Sequence, residues 1–356
     1  MYLSKVTIGT ALTEPVRIDG SQGEGGGQIL RTAVSLSAVT GTPIEVTKIR
    51  AKRSNPGLRP QHMTGIKIIA DLFHAKVENL KVGAEWVRFE PSDRFEGGSV
   101  KVDVGTAGSI SMILMAVVPA VSLSNNGVEI EITGGTDVRA SPTIDYVRHV
   151  VAAGYLSIGV KFSSDVLRRG YYPKGGGIVK TVIEPCRAPG TMELLAARDV
   201  EPKITSVCGQ LPRHVAERQI SSALIALEKK GIRCRNYSAS IEMSASPGSS
   251  ILVYSASDFG PYVGGDSIGE LGKRAEAVGG EAAERLLESV LAQAPVDHFL
   301  ADMLVLPLAL AKGKSKYRVA RVTEHLRTNL NVASQMVGCK YKIEQQGNTH
   351  VVEIDG

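Results

Sequence analysis

Apolar residues along this chain recur with two periods, one helical and one extended, and the two alternate in a repeating order. A short strand at residues 16–19 leads through a glycine-rich turn into a helix whose apolar positions Ile29, Ala33 and Leu36 fall at i, i+4 and i+7. A strand over residues 44–49, a helix over 61–73 and two strands near Val77 and Val87 complete a βαβαββ unit. The same order returns in residues 100–167: a strand at 100–104, an apolar helix at 109–118 ended by Pro119, a strand at 128–132 alternating Val or Ile with Glu, a helix at 143–151, and strands near Val160 and Leu167. A third copy opens with a strand at 178–183 and resumes only much later. Its remainder is a helix at 299–311, a strand at 317–322, a helix at 326–336 and strands near Tyr341 and Val352.

The interruption is long enough to be a domain and has its own pattern: a strand at 204–208, a helix at 213–229, strands at 238–243 and 251–255, and a helix at 269–292. The expected fold class is therefore α/β (α+β). A large domain of three βαβαββ repeats, residues 1–185 and 295–356, carries an inserted smaller βαββα domain, residues 186–294. Three copies of one unit would bring equivalent helix starts, with their glycines and reactive side chains, to a shared cleft.

Composition narrows the class of protein without naming a chemistry. The 356 residues are 43% hydrophobic and 22% charged, which suits a folded globular chain and not a disordered one. No apolar run is long enough to span a bilayer, and the opening Met1-Tyr2-Leu3-Ser4-Lys5 lacks the order of a signal peptide, so a cytoplasmic, non-membrane protein is expected. Cys186, Cys208, Cys234 and Cys339 lie far apart with no CxxC pair, which suggests neither a zinc site nor a disulfide framework. Lysine and arginine number 41 against 36 acidic residues, an excess that permits an anionic partner without a dense basic tract.

Three segments carry candidate chemistry. In Gln22-Gly23-Glu24-Gly25-Gly26-Gly27-Gln28 the missing Cβ atoms let backbone N–H groups turn toward a phosphate at a helix start, although the stretch also reads as a tight strand-to-helix turn. Glu24 there would repel a phosphate unless a divalent cation bridged the two, which makes Mg2+ a natural guess. The loop at residues 50–62, with Arg50, Arg53, Arg59 and Gln61, and Arg31 on the preceding helix, could grip phosphate oxygens with guanidinium forks or could be a solvated basic loop. His325 follows a strand and opens a helix. A helix start keeps an imidazole neutral and stabilises an anion attached to it, although a histidine there can equally be a cap or a packing residue. Phe299 and Asp302 share one helix face at i and i+3, where a ring and a carboxyl could meet a base or could simply pack. Asp137, in Gly134-Gly135-Thr136-Asp137, could cap a turn.

Together these segments resemble the RNA 3′-terminal phosphate cyclase family over nearly the whole chain. The resemblance rests on residues 19–31, 50–62, 134–137, Gly170-Tyr171-Tyr172-Pro173-Lys174-Gly175-Gly176-Gly177, Pro212-Arg213-His214-Val215-Ala216-Glu217, Leu300-Ala301-Asp302 and His325-Leu326-Arg327-Thr328-Asn329. It implies a fold of three βαβαββ repeats with an inserted domain. His325 would be an adenylylated nucleophile and Glu24 a residue contacting Mg2+ or Mn2+. Arg31, Arg50, Arg53 and Gln61 would surround the RNA terminal phosphate. Pro142, Phe299 and Asp302 would form an adenosine pocket that Met115 and Met303 also border. Phe299 stands where some relatives have Tyr, and the two methionines where bacterial relatives have Gln, which removes hydrogen bonds to the nucleotide.

The implied reaction uses ATP and an RNA with a 3′-phosphate end, passes through histidyl-AMP and RNA(3′)pp(5′)A, and closes a 2′,3′-cyclic phosphate with release of AMP and pyrophosphate. Two rival readings share the architecture. A noncatalytic cyclase-like ribosome-assembly factor would be expected to lack the nucleophilic histidine, and an enolpyruvyl transferase would need neither RNA nor a covalent nucleotide. The oligomeric state stays open at this stage, a homodimer being one option.

Overall fold

The helical and extended periods resolve into three four-stranded sheets that repeat one strand order. The structure is a computed structural model that describes residues 14–92, 94–95, 97–197 and 200–356; the expectation for residues 1–5 lies outside them. In the first unit β1 (Val16–Asp19), α1 (Gln28–Thr40), β2 (Ile44–Thr47), α2 (Pro60–Leu72), β3 (Lys76–Glu78) and β4 (Val87–Glu90) build a sheet ordered β1-β2-β4-β3. Its first pair is parallel and the others antiparallel. Helix α1 stops where Gly41 takes a φ of 70°, and α2 starts on Pro60, whose missing N–H would have no partner in a first turn.

The second unit runs β5 (Gly98–Asp103), α3 (Ile110–Ser122), β6 (Val128–Gly134), α4 (Ile144–Tyr146), a π-helical turn (Val147–Val151), α5 (Ala152–Leu156), β7 (Phe162–Arg168) and β8 (Gly177–Ile183), with the sheet order β5-β6-β8-β7. Two sequence expectations are corrected here. The strand expected to open the third repeat is β8, which pairs antiparallel with β6 and β7 and so closes the second unit. The strands expected near Val160 and Leu167 are the single strand β7. Gly175 and Gly176, at φ 64° and 71°, help turn the chain so that β8 folds back on β7. Alternating side chains reveal a strand but not its neighbour. Pro119 does not end α3, because only one further turn follows it and the lost N–H bond falls near the helix end.

The third unit begins with β9 (Glu193–Leu194), two residues parallel to the later β14 and too short to register as a period. The insertion follows as β10 (Lys203–Gly209), α6 (His214–Glu228), β11 (Asn236–Ile241), β12 (Gly248–Ala256), β13 (Tyr262–Ile268) and α7 (Ala275–Leu291), with the order β11-β10-β12-β13. It is βαβββα where βαββα was expected. The missed strand contains Gly264, Gly265 and Asp266, all poor strand formers. Gly265 is required by packing, since a Cβ there would stand 2.2 Å from the Ala282 carbonyl oxygen of α7.

The third unit then finishes with α8 (His298–Ala309), β14 (Lys314–Val319), α9 (Glu324–Val337), β15 (Lys340–Gln346) and β16 (Thr349–Asp355). Its sheet, β9-β14-β16-β15, has the same order as the first two.

One apolar core runs through all three units, and a second lies between the insertion's sheet and α6 and α7, built from residues such as Ile204, Ile251, Val253, Ala282 and Leu286. We propose the division into a large domain, residues 1–185 and 295–356, and an inserted domain, residues 186–294, with β9 counted in the third sheet of the large one. Among the described residues no helix is long and apolar enough to cross a membrane.

The units meet through their helices, α1 and α2 of the first packing on α3 of the second, and α1 on α9 of the third, while α8 packs on α9 within the third. Buried Asn329 joins three of them: it accepts from Thr32 Oγ1 at 2.8 Å and donates through Nδ2 to the Asp302 carbonyl at 2.9 Å.

Candidate active site

Repetition of one unit places helix starts side by side. The first turns of α1, α2, α3, α8 and α9, or the loops leading into them, all line one cavity of about 1010 Å3. Each start exposes N–H groups that the helix cannot use, so the cavity is biased toward anions before any charged side chain is considered.

His325 sits in the first turn of α9, where Thr323 caps the helix by accepting from the Leu326 N–H at 2.9 Å. Its side chain is 36% exposed, and Nε2 lies 3.1 Å from Glu24 Oε2. Burial lowers the imidazole pKa, Glu24 opposes that, and the positive charges of Arg31 and Arg53 add to it. A neutral ring therefore persists at neutral pH with a nitrogen lone pair available.

Glu24 is held from the other side by Arg53, Nη2 to Oε2 at 3.0 Å. The glycine turn that carries it is wedged between α9 and the basic loop. A Cβ on Gly23 would stand 2.2 Å from Thr328 Oγ1, and one on Gly26 would stand 3.1 Å from Arg53 Nη2.

The expected phosphate-binding side chains also converge. Arg31 projects from α1 toward the cavity and touches the Gln28 side chain; among the described residues no carboxylate reaches it. Burial lowers its pKa to about 10, which still leaves it fully charged at neutral pH. Arg50, at φ 56°, braces its own loop by donating to the Asn55 and Gly57 carbonyls while lining the cavity. Gln61 accepts from the Ser109 N–H at 3.0 Å, which joins the starts of α2 and α3. On this side four arginines, Arg31, Arg50, Arg53 and Arg59, face the cavity, and Arg53 pairs with Glu24.

Pro142, half-buried Phe299, Met115, Met303 and Asp302 line the same cavity as an apolar stretch with one carboxyl group, and Met115, Met303 and Asp302 also border a small pocket beside Arg31. Asp302 accepts from Thr323 Oγ1 at 2.7 Å, so it contacts the residue that caps the His325 helix. Burial pushes its pKa up to about 8, with Asp297 and Glu24 adding to the rise and the Thr323 hydrogen bond opposing it, so the carboxyl is largely protonated at neutral pH. Apart from Asp137, every side chain singled out from the sequence thus borders the same space.

The sequence did not signal the third wall. Residues Asp266, Ser267, Ile268, Glu270, Lys273, Glu281 and Arg285, all from the insertion, close the cavity. Their charges are largely internal: Glu281 pairs with both Lys273 and Arg285, whose Nη2 lies 2.6 Å from Oε1. Asp137, read as a turn cap, serves another end. Fully buried Arg169 pairs with Asp137 at 3.3 Å, Asp145 at 2.9 Å and the insertion's Glu242 at 2.8 Å, so one guanidinium fastens the insertion to the second unit. Asp266 Oδ2 accepts from the Thr143 N–H at 2.6 Å, beside Pro142 on the cavity wall.

Among the described residues no group of three or more His, Cys, Asp or Glu side chains stands together as a metal cage. Glu24 could offer one oxygen to a cation whose other ligands came from a bound polyphosphate.

The family model described as RNA 3′-terminal phosphate cyclase matches residues 22–343. Among curated proteins, the RNA 3′-terminal phosphate cyclase of Pyrobaculum neutrophilum is 42% identical over 96% of this chain and 98% of its own. That of Pyrococcus furiosus is 43% identical over 94% and 98%, and that of Thermococcus onnurineus 44% identical over 92% and 95%. A solved enolpyruvyl transferase, NikO from Streptomyces tendae, aligns with 97% of this chain and 82% of its own at 10% identity and a TM-score of 0.22, too low to bear on the fold.

Proposed function

Since the chain belongs to the RNA 3′-terminal phosphate cyclase family, an enzyme family, we propose that it converts the 3′-phosphate end of an RNA to a 2′,3′-cyclic phosphodiester with consumption of ATP. The observation that carries this reading is a neutral, partly exposed imidazole at a helix start, opening on a cavity where Arg31 has no carboxylate partner among the described residues.

In the first step an imidazole nitrogen of His325 attacks the α-phosphorus of ATP, a P–N bond forms, and pyrophosphate leaves. An oxygen of the RNA 3′-phosphate then attacks that phosphorus, the P–N bond breaks, and RNA(3′)pp(5′)A results. Last, the adjacent 2′-oxygen attacks the 3′-phosphorus, loses its proton to solvent and expels AMP. Each step is phosphoryl or nucleotidyl transfer, in which positioning and charge neutralisation do most of the catalysis. Arg31, Arg50, Arg53 and Gln61 would hold the RNA phosphate, and the convergent helix starts would stabilise the charge that develops. The ring closure is intramolecular, so correct orientation alone is worth roughly 7–11 kcal/mol in favourable cases.

Pro142, Phe299 and Asp302 suit an adenosine: a ring and a proline offer faces for the base, and a protonated carboxyl can donate to a ring nitrogen. Met115 and Met303 complete this wall as packing surface. Mg2+ or Mn2+ would arrive with the nucleotide, with Glu24 supplying one ligand. We further propose that the protein works in the cytoplasm.

Incubation with ATP labelled at the α-phosphorus should leave protein-bound AMP that acid releases and alkali does not, as a phosphoramidate requires. His325→Ala should abolish the label. Equal labelling of that variant would defeat the assignment, and absence of label from the native protein would favour a noncatalytic relative.

A further inference from the structure

A second histidine on the cavity wall has no place in the reaction as described. His62 is the third residue of α2 and is 6% exposed, with its ring on the wall beside Gln61 and Arg59. Its Nδ1 accepts from the Arg59 backbone N–H at 3.2 Å, which closes the first turn of the helix. A neutral imidazole that accepts through one nitrogen carries its proton on the other, so Nε2 is a donor.

Among the described residues Nε2 has no hydrogen-bond partner. It presses toward the start of α1, where a Cβ on Gly27 would stand 2.3 Å from it. The enclosed polar atoms that lack a partner lie elsewhere, as at Ser111 Oγ and Tyr171 Oη, so this N–H is open to the cavity that His62 lines, where a ligand can supply the acceptor. Burial and the charges of Arg31, Arg50 and Arg59 keep this ring neutral, with its pKa lowered to about 3. The same arginines define the acceptor: an anion with several oxygens, held where two helix starts meet.

On the reading of the cavity given above, we propose that His62 donates its Nε2–H to an oxygen of the RNA 3′-terminal phosphate and orients it for attack. With Nδ1 held by the backbone and Nε2 protonated, the ring cannot take a proton from the 2′-oxygen. It positions the phosphate and is not a general base.

Two substitutions separate this role from helix capping, because the glutamine amide nitrogen reaches where Nε2 stands, whereas the asparagine carbonyl stands where Nδ1 does. The measurement is the dissociation constant of one fluorescent RNA oligonucleotide ending in a 3′-phosphate and of the same RNA ending in a 3′-hydroxyl. Native protein should prefer the phosphate end. His62→Asn, which keeps the cap and loses the donor, should lose tenfold or more of that preference, the usual size of a hydrogen bond to a charged group. His62→Gln should keep it within about threefold. A preference that survives in His62→Asn, or that His62→Gln does not retain, overturns the proposal. A native protein that does not distinguish the two ends would instead refute the cyclase reading beneath it.

Discussion

Replacing Arg169 with methionine leaves Asp137 in the interior without its guanidinium, leaves Asp145 with Arg148 alone, 3.0 Å away, and frees Glu242 of the insertion. The side chain of Asp137 is fully buried and that of Asp145 nearly so, and neither can reach water without opening the seam between the second unit and the insertion. Removing one partner of a buried ion pair costs about 3–5 kcal/mol, because the stranded charge loses solvation and gains nothing. At roughly 3 kcal/mol per molar, a slope at the upper end for small proteins, the urea midpoint should fall by about 1 M or more.

The deficit should also depend on pH. Burial already raises the Asp137 pKa against the pull of Arg169, and loss of the cation raises it further. A carboxyl whose folded pKa exceeds its unfolded value penalises folding when pH lies above the unfolded value, so the penalty should shrink as pH falls from 7 toward 4. Urea unfolding of both proteins at pH 7 and pH 5 provides the test. Glu242→Gln should cost about 1 kcal/mol or less, since Glu242 is a third exposed. A methionine variant within about 1 kcal/mol of native at pH 7, or with the same deficit at both pH values, would refute the account of this cluster.

Three further outcomes follow from other buried contacts. Burial lifts Asp302 to about 8, so the folded state keeps a proton that an ordinary carboxyl releases near 3.8; native stability should decline as pH rises between those values, by up to about 1.4 kcal/mol per pH unit from this group. Asp302→Asn should flatten that decline, and parallel curves from thermal unfolding at pH 5 to 9 would show that the group is ionised in the folded state. Asn329→Leu strands the Thr32 hydroxyl and the Asp302 carbonyl, and should lower stability by about 2–4 kcal/mol in denaturant titration; a loss under about 1 kcal/mol would mean that water replaces both bonds. In the insertion, a Cβ on Gly279 would stand 1.9 Å from the Gln219 carbonyl oxygen of α6, so Gly279→Ala should push α6 from α7 at a cost of about 3 kcal/mol and speed proteolysis within residues 203–291, whereas unchanged cleavage would show that the helices can separate freely.

Much of this protein was legible along the chain because helices and strands are set by neighbours three to four or two residues away. The starts of α2, α3, α8 and α9 fall within two residues of their expected positions, and the glycine turn, Arg31, Arg50, Arg53, Gln61 and His325 could be singled out because their chemistry is local: glycine next to a helix start, a charge in a loop, a ring at a cap. Pairing between distant segments was another matter. That β8 closes the second sheet, that β13 exists despite two glycines, and that the two residues of β9 open the third sheet all depend on which surface each strand buries against. The cavity follows the same division. Its reactive side chains stood out in the sequence, whereas its third wall, the Arg169 cluster and the contact of His62 with Gly27 arise from residues far apart in the chain. Local periodicity determines which elements form; burial of apolar faces and neutralisation of enclosed charge determine how they meet, and only the folded chain brings those groups together.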